Sequence, residues 1–241
     1  MKASKKIIAT GAALLMSAAL FTGCAGGSKF DGCDEINAAK KLYENADSGH
    51  VTVVDNITGL ITQDFTFMYD DSDVLNYSYR GTDGDVIFYE YSNGSEINYC
   101  YAADSQWSVI TQGSDEFYNY TRTNRHAFTS QSVISLNESS ITGTTVKNNS
   151  DGGKTVTVRY DVAKLNTNAG SQMDAIGSFA DFNAEITLNG EGYVVELHQW
   201  GEVVGDGANT DLDYTTSFTE LNQVTEVSRP TAEWEKINAI L

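Results

Sequence analysis

The chain carries three histidines, His50, His126 and His198, and three cysteines, Cys24, Cys33 and Cys100. None of the histidines stands in an HxH or HExxH spacing and no Cys-x-x-Cys pair occurs, so the ligand count for a zinc or redox centre is not reached. There is no GxSxG elbow, P-loop or dinucleotide fingerprint. Carboxylates are abundant, but no spacing singles out a pair for acid–base work. The acidic runs "DDSD" (70–73) and "DGANTDLD" (206–213) lack the order and closing glutamate of a calcium-binding EF-hand loop and read as solvated turns. The expectation is a protein that is not an enzyme and holds no cofactor or metal. Two features are left with chemistry to do. One is a cysteine at the end of an apolar run; the other is a set of tyrosines and phenylalanines at alternate positions.

The cysteine comes first. Lys2, Lys5 and Lys6 precede a charge-free stretch from Ile7 to Phe21, followed by the small residues Thr22 and Gly23. This is the pattern of an export leader, too short for a permanent span, which needs about 20 apolar residues. The end of it, "LFTGC", resembles the lipobox of bacterial lipoproteins, with Phe21 at the position where leucine is usual. The resemblance implies that Cys24 receives a diacylglycerol and becomes the first residue of the mature chain. Residues 1–23 are then a lipoprotein signal peptide, 24–33 a Gly-rich flexible tether, and 34–241 one domain. The expected location is the extracytoplasmic face of the cell membrane, with the membrane as partner through the lipid anchor.

Charge agrees with a life outside the cytoplasm. The whole chain has 15 Lys+Arg against 33 Asp+Glu. Without the three leader lysines the formal charge becomes −21, which repels phosphate backbones and makes nucleic acid an unsuitable partner. Cys33 and Cys100 remain in the mature chain. In an exported protein they permit a disulfide, or they stay as two thiols; the sequence does not choose.

The elements that must position the aromatic residues are mostly strands. "DEINAAKKLYENADSG" predicts one helix, with Asp34 as its cap, Ile36, Ala39 and Tyr43 on its apolar face, and Gly49 closing it. From His50 to about Ile110 short β-rich runs alternate with polar turns at 70–73, 81–84, 92–95 and 103–106, which predicts an antiparallel meander. A loop or short helix is expected over 123–140, hairpins turning at 148–153 and 189–192, a helix at about 170–180, and a last long strand over 210–227. Pro230 precedes a C-terminal helix over 231–241. The fold class is mainly β with a few helices.

Period-2 alternation puts every second residue on one side of a pleat. Taking odd positions in four strands gathers Phe65, Phe67 and Tyr69, then Tyr77 and Tyr79, then Tyr89 and Tyr91, then Tyr99 and Tyr101. Buried phenols each need a hydrogen-bond partner, so a partly wet cavity floor suits them better than a sealed core. These nine residues are the candidate ligand-binding set, for a lipid or acyl group. The alternative is a surface structural or interaction lipoprotein with a filled core and no small-molecule ligand.

The order of elements ends in a strand running into "FTELNQVTEVSRP". The order and that ending resemble the LolA/LolB and LppX/LprG group of lipoprotein carriers. The resemblance implies a single curved antiparallel sheet, a half-open barrel, with helices packed on its concave face around a hydrophobic cavity. No ligand residue of that group has a matching position here.

Overall fold

The computed structural model describes residues 29–72, 74–83, 86–101, 106–115, 138–169, 177–205 and 208–228. The leader, Cys24, most of the 123–140 segment and the C-terminal helix expected at 231–241 lie outside the described residues.

Helix α1 spans Cys33–Glu44 and leads into strands β1 (Ser48–Asp55), β2 (Leu60–Tyr69), β3 (Leu75–Asp83), β4 (Val86–Ser92), β5 (Glu96–Tyr101) and β6 (Gln106–Thr111). A short 3-10 turn at Glu138–Ser140 precedes β7 (Ile141–Asn148) and β8 (Lys154–Tyr160), and helix α2 (Val162–Ala169) precedes β9 (Ser178–Leu188), β10 (Val194–Gly205) and β11 (Ala208–Thr219). All eleven strands form one curved, unclosed sheet in the order β6-β5-β4-β3-β2-β1-β11-β10-β9-β8-β7. Two meanders, β1 to β6 and β7 to β11, are thus joined where β1 pairs antiparallel with β11 from His50–Thr219 to Asp55–Tyr214. The expected fold class holds.

The hairpin turns are built by Asn and Asp side chains that take over backbone N–H groups, which is why such residues favour tight turns. Asp70 Oδ1 accepts from the N–H groups of Ser72 and Val74. Asn93 Oδ1 accepts from Ser95 and Glu96, and Asn189 Oδ1 from Glu191 and Tyr193. Each turn predicted around these residues forms.

Helix α1 buries Cys33, Ile36, Ala39 and Tyr43, a helical stripe laid over the β8–β11 half of the sheet. The Tyr43 hydroxyl donates to the Val194 carbonyl, and its ring meets Phe218 edge-on at 5.2 Å. Gly32 holds the start of the helix in the left-handed region (φ 83°). A Cβ there would lie 2.7 Å from Val156 Cγ2, so this close approach to β8 requires glycine. Asp34, expected as the cap, instead sits in the first turn with Glu35, beside the helix N-terminus that favours negative charge. Gly49 does not close the helix. The helix stops at Glu44, where the Asn45 side chain donates to the Lys41 carbonyl. Gly49 already belongs to β1, against the Phe67 ring, 3.0 Å from where a Cβ would stand.

Helix α2 stands ahead of the helix expected at about 170–180, of which residues 170–176 lie outside the described residues. Asp161 caps it by accepting from Lys164 N–H at 3.2 Å, so the helix follows β8 directly and residues 178–180 are strand. Leu165 is buried beneath it, and the Asn166 amide exchanges two hydrogen bonds with the Phe179 backbone, at 3.0 and 2.9 Å. Both described helices pack principally against β9. The last strand ends at Thr219, short of the predicted 227, because Glu220 and Asn222 take left-handed backbone conformations (φ 53° and 57°).

No disulfide joins Cys33 to Cys100. Both are buried: Cys33 in the main core under α1, Cys100 in a small separate cluster with Tyr89.

Candidate functional site

Ladder register decides which aromatic residues share a face. Phe65 stands opposite Tyr79, Phe67 opposite Tyr77 and Tyr69 opposite Leu75. These residues belong to the helix-bearing inner face of the sheet, together with Val51 on β1 and Phe218 on β11. Their rings form a continuous wall. Phe65 and Phe67 stack at 5.4 Å and 16°, Tyr79 meets Phe65 edge-on at 6.0 Å, and Tyr77 tilts onto Phe65 at 6.0 Å. Tyr69 meets Phe67 edge-on at 6.2 Å. Phe65, Phe67, Tyr77 and Tyr79 are each at most 4% exposed. Tyr99 packs against the same cluster from β5, while Tyr101 holds an inner-face register position opposite Phe88.

Tyr89 and Tyr91 do not join them. Tyr89 pairs with Arg80 and Cys100, and Tyr91 with Ser78 and Asn98, all on the outer face. The reason is the parity of the connections. Asp83 pairs with Val86 and Ser92 with Ile97, so an even number of residues separates each pair. Each such turn places odd-numbered residues of one strand beside even-numbered residues of the next. Strand β4 therefore presents Glu90 to the inner face where tyrosine was expected.

Glu90 stands opposite Tyr79 on β3 and Tyr99 on β5, and its Oε2 accepts a hydrogen bond from the Tyr77 hydroxyl at 3.1 Å. Burial, and then the neighbouring Glu90 charge, push the Tyr79 phenol well above its ordinary pKa. The inner face thus holds a carboxylate among phenols, and burial keeps the Tyr79 hydroxyl protonated. The sequence signal that would have found Glu90 is the length of the turn before it.

The fold is similar to that of two mycobacterial lipoproteins. LppX from Mycobacterium tuberculosis matches at a TM-score of 0.45 and 15% identity, over 81% of this chain and 97% of its own. LprF from Mycobacterium bovis matches at 0.44 and 10%, over 82% and 96%. The sequence matches no protein-family model and no curated protein.

Around β1, β2, β10 and β11 the outer face carries paired polar groups. His198 Nε2 lies 2.8 Å from Asp213 Oδ1, His50 Nε2 2.8 Å from Asp64 Oδ1, and Trp200 stacks on His198 at 4.7 Å. Among the described residues no three His, Cys, Asp or Glu groups stand close enough to hold a metal ion. Burial raises the Asp213 pKa, but hydrogen bonds from Asn56 and His198 outweigh it and hold the carboxyl below its ordinary value. A carboxylate with a depressed folded pKa stabilises the fold above its unfolded pKa of about 3.9, and that contribution is lost as pH falls through the folded value. Asp213 is 39% exposed, so solvent screening keeps the effect small. D213N should lower Tm at pH 7 by about 1–3 °C, and its Tm should fall less steeply than that of the wild type below pH 4. Parallel melting curves down to pH 2.5 would show that Asp213 contributes nothing.

Proposed function

We propose that this protein is a membrane-tethered extracytoplasmic lipoprotein that binds a hydrophobic ligand, a lipid or acyl chain, along the inner face of its sheet. The observation that carries this reading is the wall of Phe65, Phe67, Tyr77 and Tyr79, which forms one side of an unclosed sheet. Apolar surface that an acyl chain covers contributes about 25 cal/mol per Å². Acyl chains are flexible enough to follow such a curved face. Glu90 and the phenols supply the few polar groups that orient a ligand within an apolar site. The lipobox-like leader supports delivery to a membrane, where such a ligand is found.

Native mass spectrometry of the mature chain, before and after organic extraction, tests the reading. Binding predicts an additional mass of lipid size that extraction removes. A single unliganded mass, both from the producing cells and after incubation with membrane lipid extract, would leave the filled-core interaction protein as the better account.

A further inference from the structure

Two polar atoms on the β8–β11 half of the inner face have no hydrogen-bond partner among the described residues: Gln199 Nε2 and the Tyr160 hydroxyl oxygen. Gln199 is 3% exposed and Tyr160 9%. A buried amide or phenol left unpaired costs more than a made hydrogen bond returns, and native interiors avoid it. Leucine and phenylalanine would fill these two positions without that cost.

The register shows what lies between them. Gln199 stands opposite Ala184 on β9 and Tyr214 on β11. The next inner-face position on β10 is Gly201, opposite Phe182, and the Tyr160 ring lies 5.4 Å from that of Phe182. Ala184 on β9 therefore lies between the two polar side chains and contributes one methyl group, with Phe182 beside it against the Tyr160 ring. Gln199 Nε2 can only donate, and the Tyr160 hydroxyl donates readily. The group that suits both is an acceptor oxygen. It is a neutral one, because Lys154, on the inner face at the other end of β8, is already paired with Glu35 of α1, and an unpaired buried charge is far more costly than a buried carbonyl. Burial also keeps the Tyr160 phenol protonated.

We propose that Gln199 and Tyr160 are a donor pair that holds the ester or amide carbonyl of an acyl-chain ligand in the β8–β11 half of the inner face. This rests on the hydrophobic-ligand reading above and adds the linkage chemistry of the ligand and the place where it is fixed. Phosphate and free carboxylate groups are excluded from this position, and a chain without a carbonyl is held less tightly.

The test compares 1,2-dioleoylglycerol with its 1,2-dioleyl diether analogue, which keeps the chains and the hydroxyl but lacks both carbonyls. Each is delivered from cyclodextrin to the mature chain beginning at Cys24, after its co-purifying lipid has been washed away. The expected result is that the wild type binds the diester about tenfold more tightly than the diether. In Q199L and in Y160F that ratio should fall toward one, while the melting temperature of the ligand-free variants stays level or rises. Equal binding of the two lipids by the wild type overturns the donor pair, as does an undiminished ratio in both variants. Failure of the wild type to bind either lipid overturns the hydrophobic-ligand reading itself, and the donor pair with it.

Discussion

Replacing Cys24 by alanine is expected to move the protein from the membrane fraction to the soluble extracytoplasmic fraction, with membrane retention falling more than about a hundredfold. One thiol would carry two acyl chains, and each buried CH₂ contributes about 0.8 kcal/mol. No described helix is long and apolar enough to cross a membrane, and the chain's net charge of −18 is repelled by anionic headgroups. The measurement is fractionation of cells producing wild-type or C24A protein, with incorporation of a labelled fatty acid into each. Label in the wild type and none in C24A is the expected pattern. Retention of unlabelled C24A protein on the membrane would mean that something other than Cys24 anchors it.

The second large effect concerns the two faces of the sheet. Tyr77 and Tyr91 look alike in the sequence, each within a run of alternating aromatics. Tyr77 is 0% exposed, packs against Phe65 and donates to Glu90. Tyr91 is only half-buried and lies on the outer face beside Ser78 and Asn98. Truncating a buried aromatic removes its transfer free energy and leaves a cavity, together about 3–5 kcal/mol. Y77A should therefore lower the melting temperature by about 10 °C, and any lipid binding should weaken as the wall loses a ring. Y91A should cost under about 1 kcal/mol and leave lipid binding unchanged. Equal losses in the two variants would place Tyr91 on the inner face and overturn the register assigned to β4.

Much of this architecture was legible because local chemistry writes it directly. A turn such as "LNGEG" forms where Asn189 can accept two backbone N–H groups, whatever the rest of the chain does. The stripe of Ile36, Ala39 and Tyr43 likewise announces a helix with one buried side. Which face a strand presents is a different kind of information. It passes from strand to strand through the length of each turn, so one misjudged connection inverts every residue beyond it. Counting odd positions through β4 exchanged Glu90 for Tyr89 and Tyr91, and the second even connection restored the count for Tyr99. The start of α2 was written in Asp161, a cap residue, but the β-rich pattern before it hid that signal. The orphaned donors at Gln199 and Tyr160 could not be read from sequence, because polar satisfaction is a property of three-dimensional neighbours.

The junction of the two meanders also sets an order of events. Strand β1 meets β11 through contacts such as His50 with Thr219, separated by 169 positions, whereas every other pairing of the described strands joins consecutive ones. A chain delivered from its N-terminus, at synthesis or across a membrane, can fold β1 to β6 early from local hairpins. The free edge of β1 must then wait for almost the last strand described. That edge includes the β-branched run Val51, Thr52, Val53 and Val54, a template for pairing with a neighbouring chain while it remains open. A chain cut short before Ala208 would keep that edge exposed permanently, so loss of β11 should promote self-association rather than yield a slightly smaller protein.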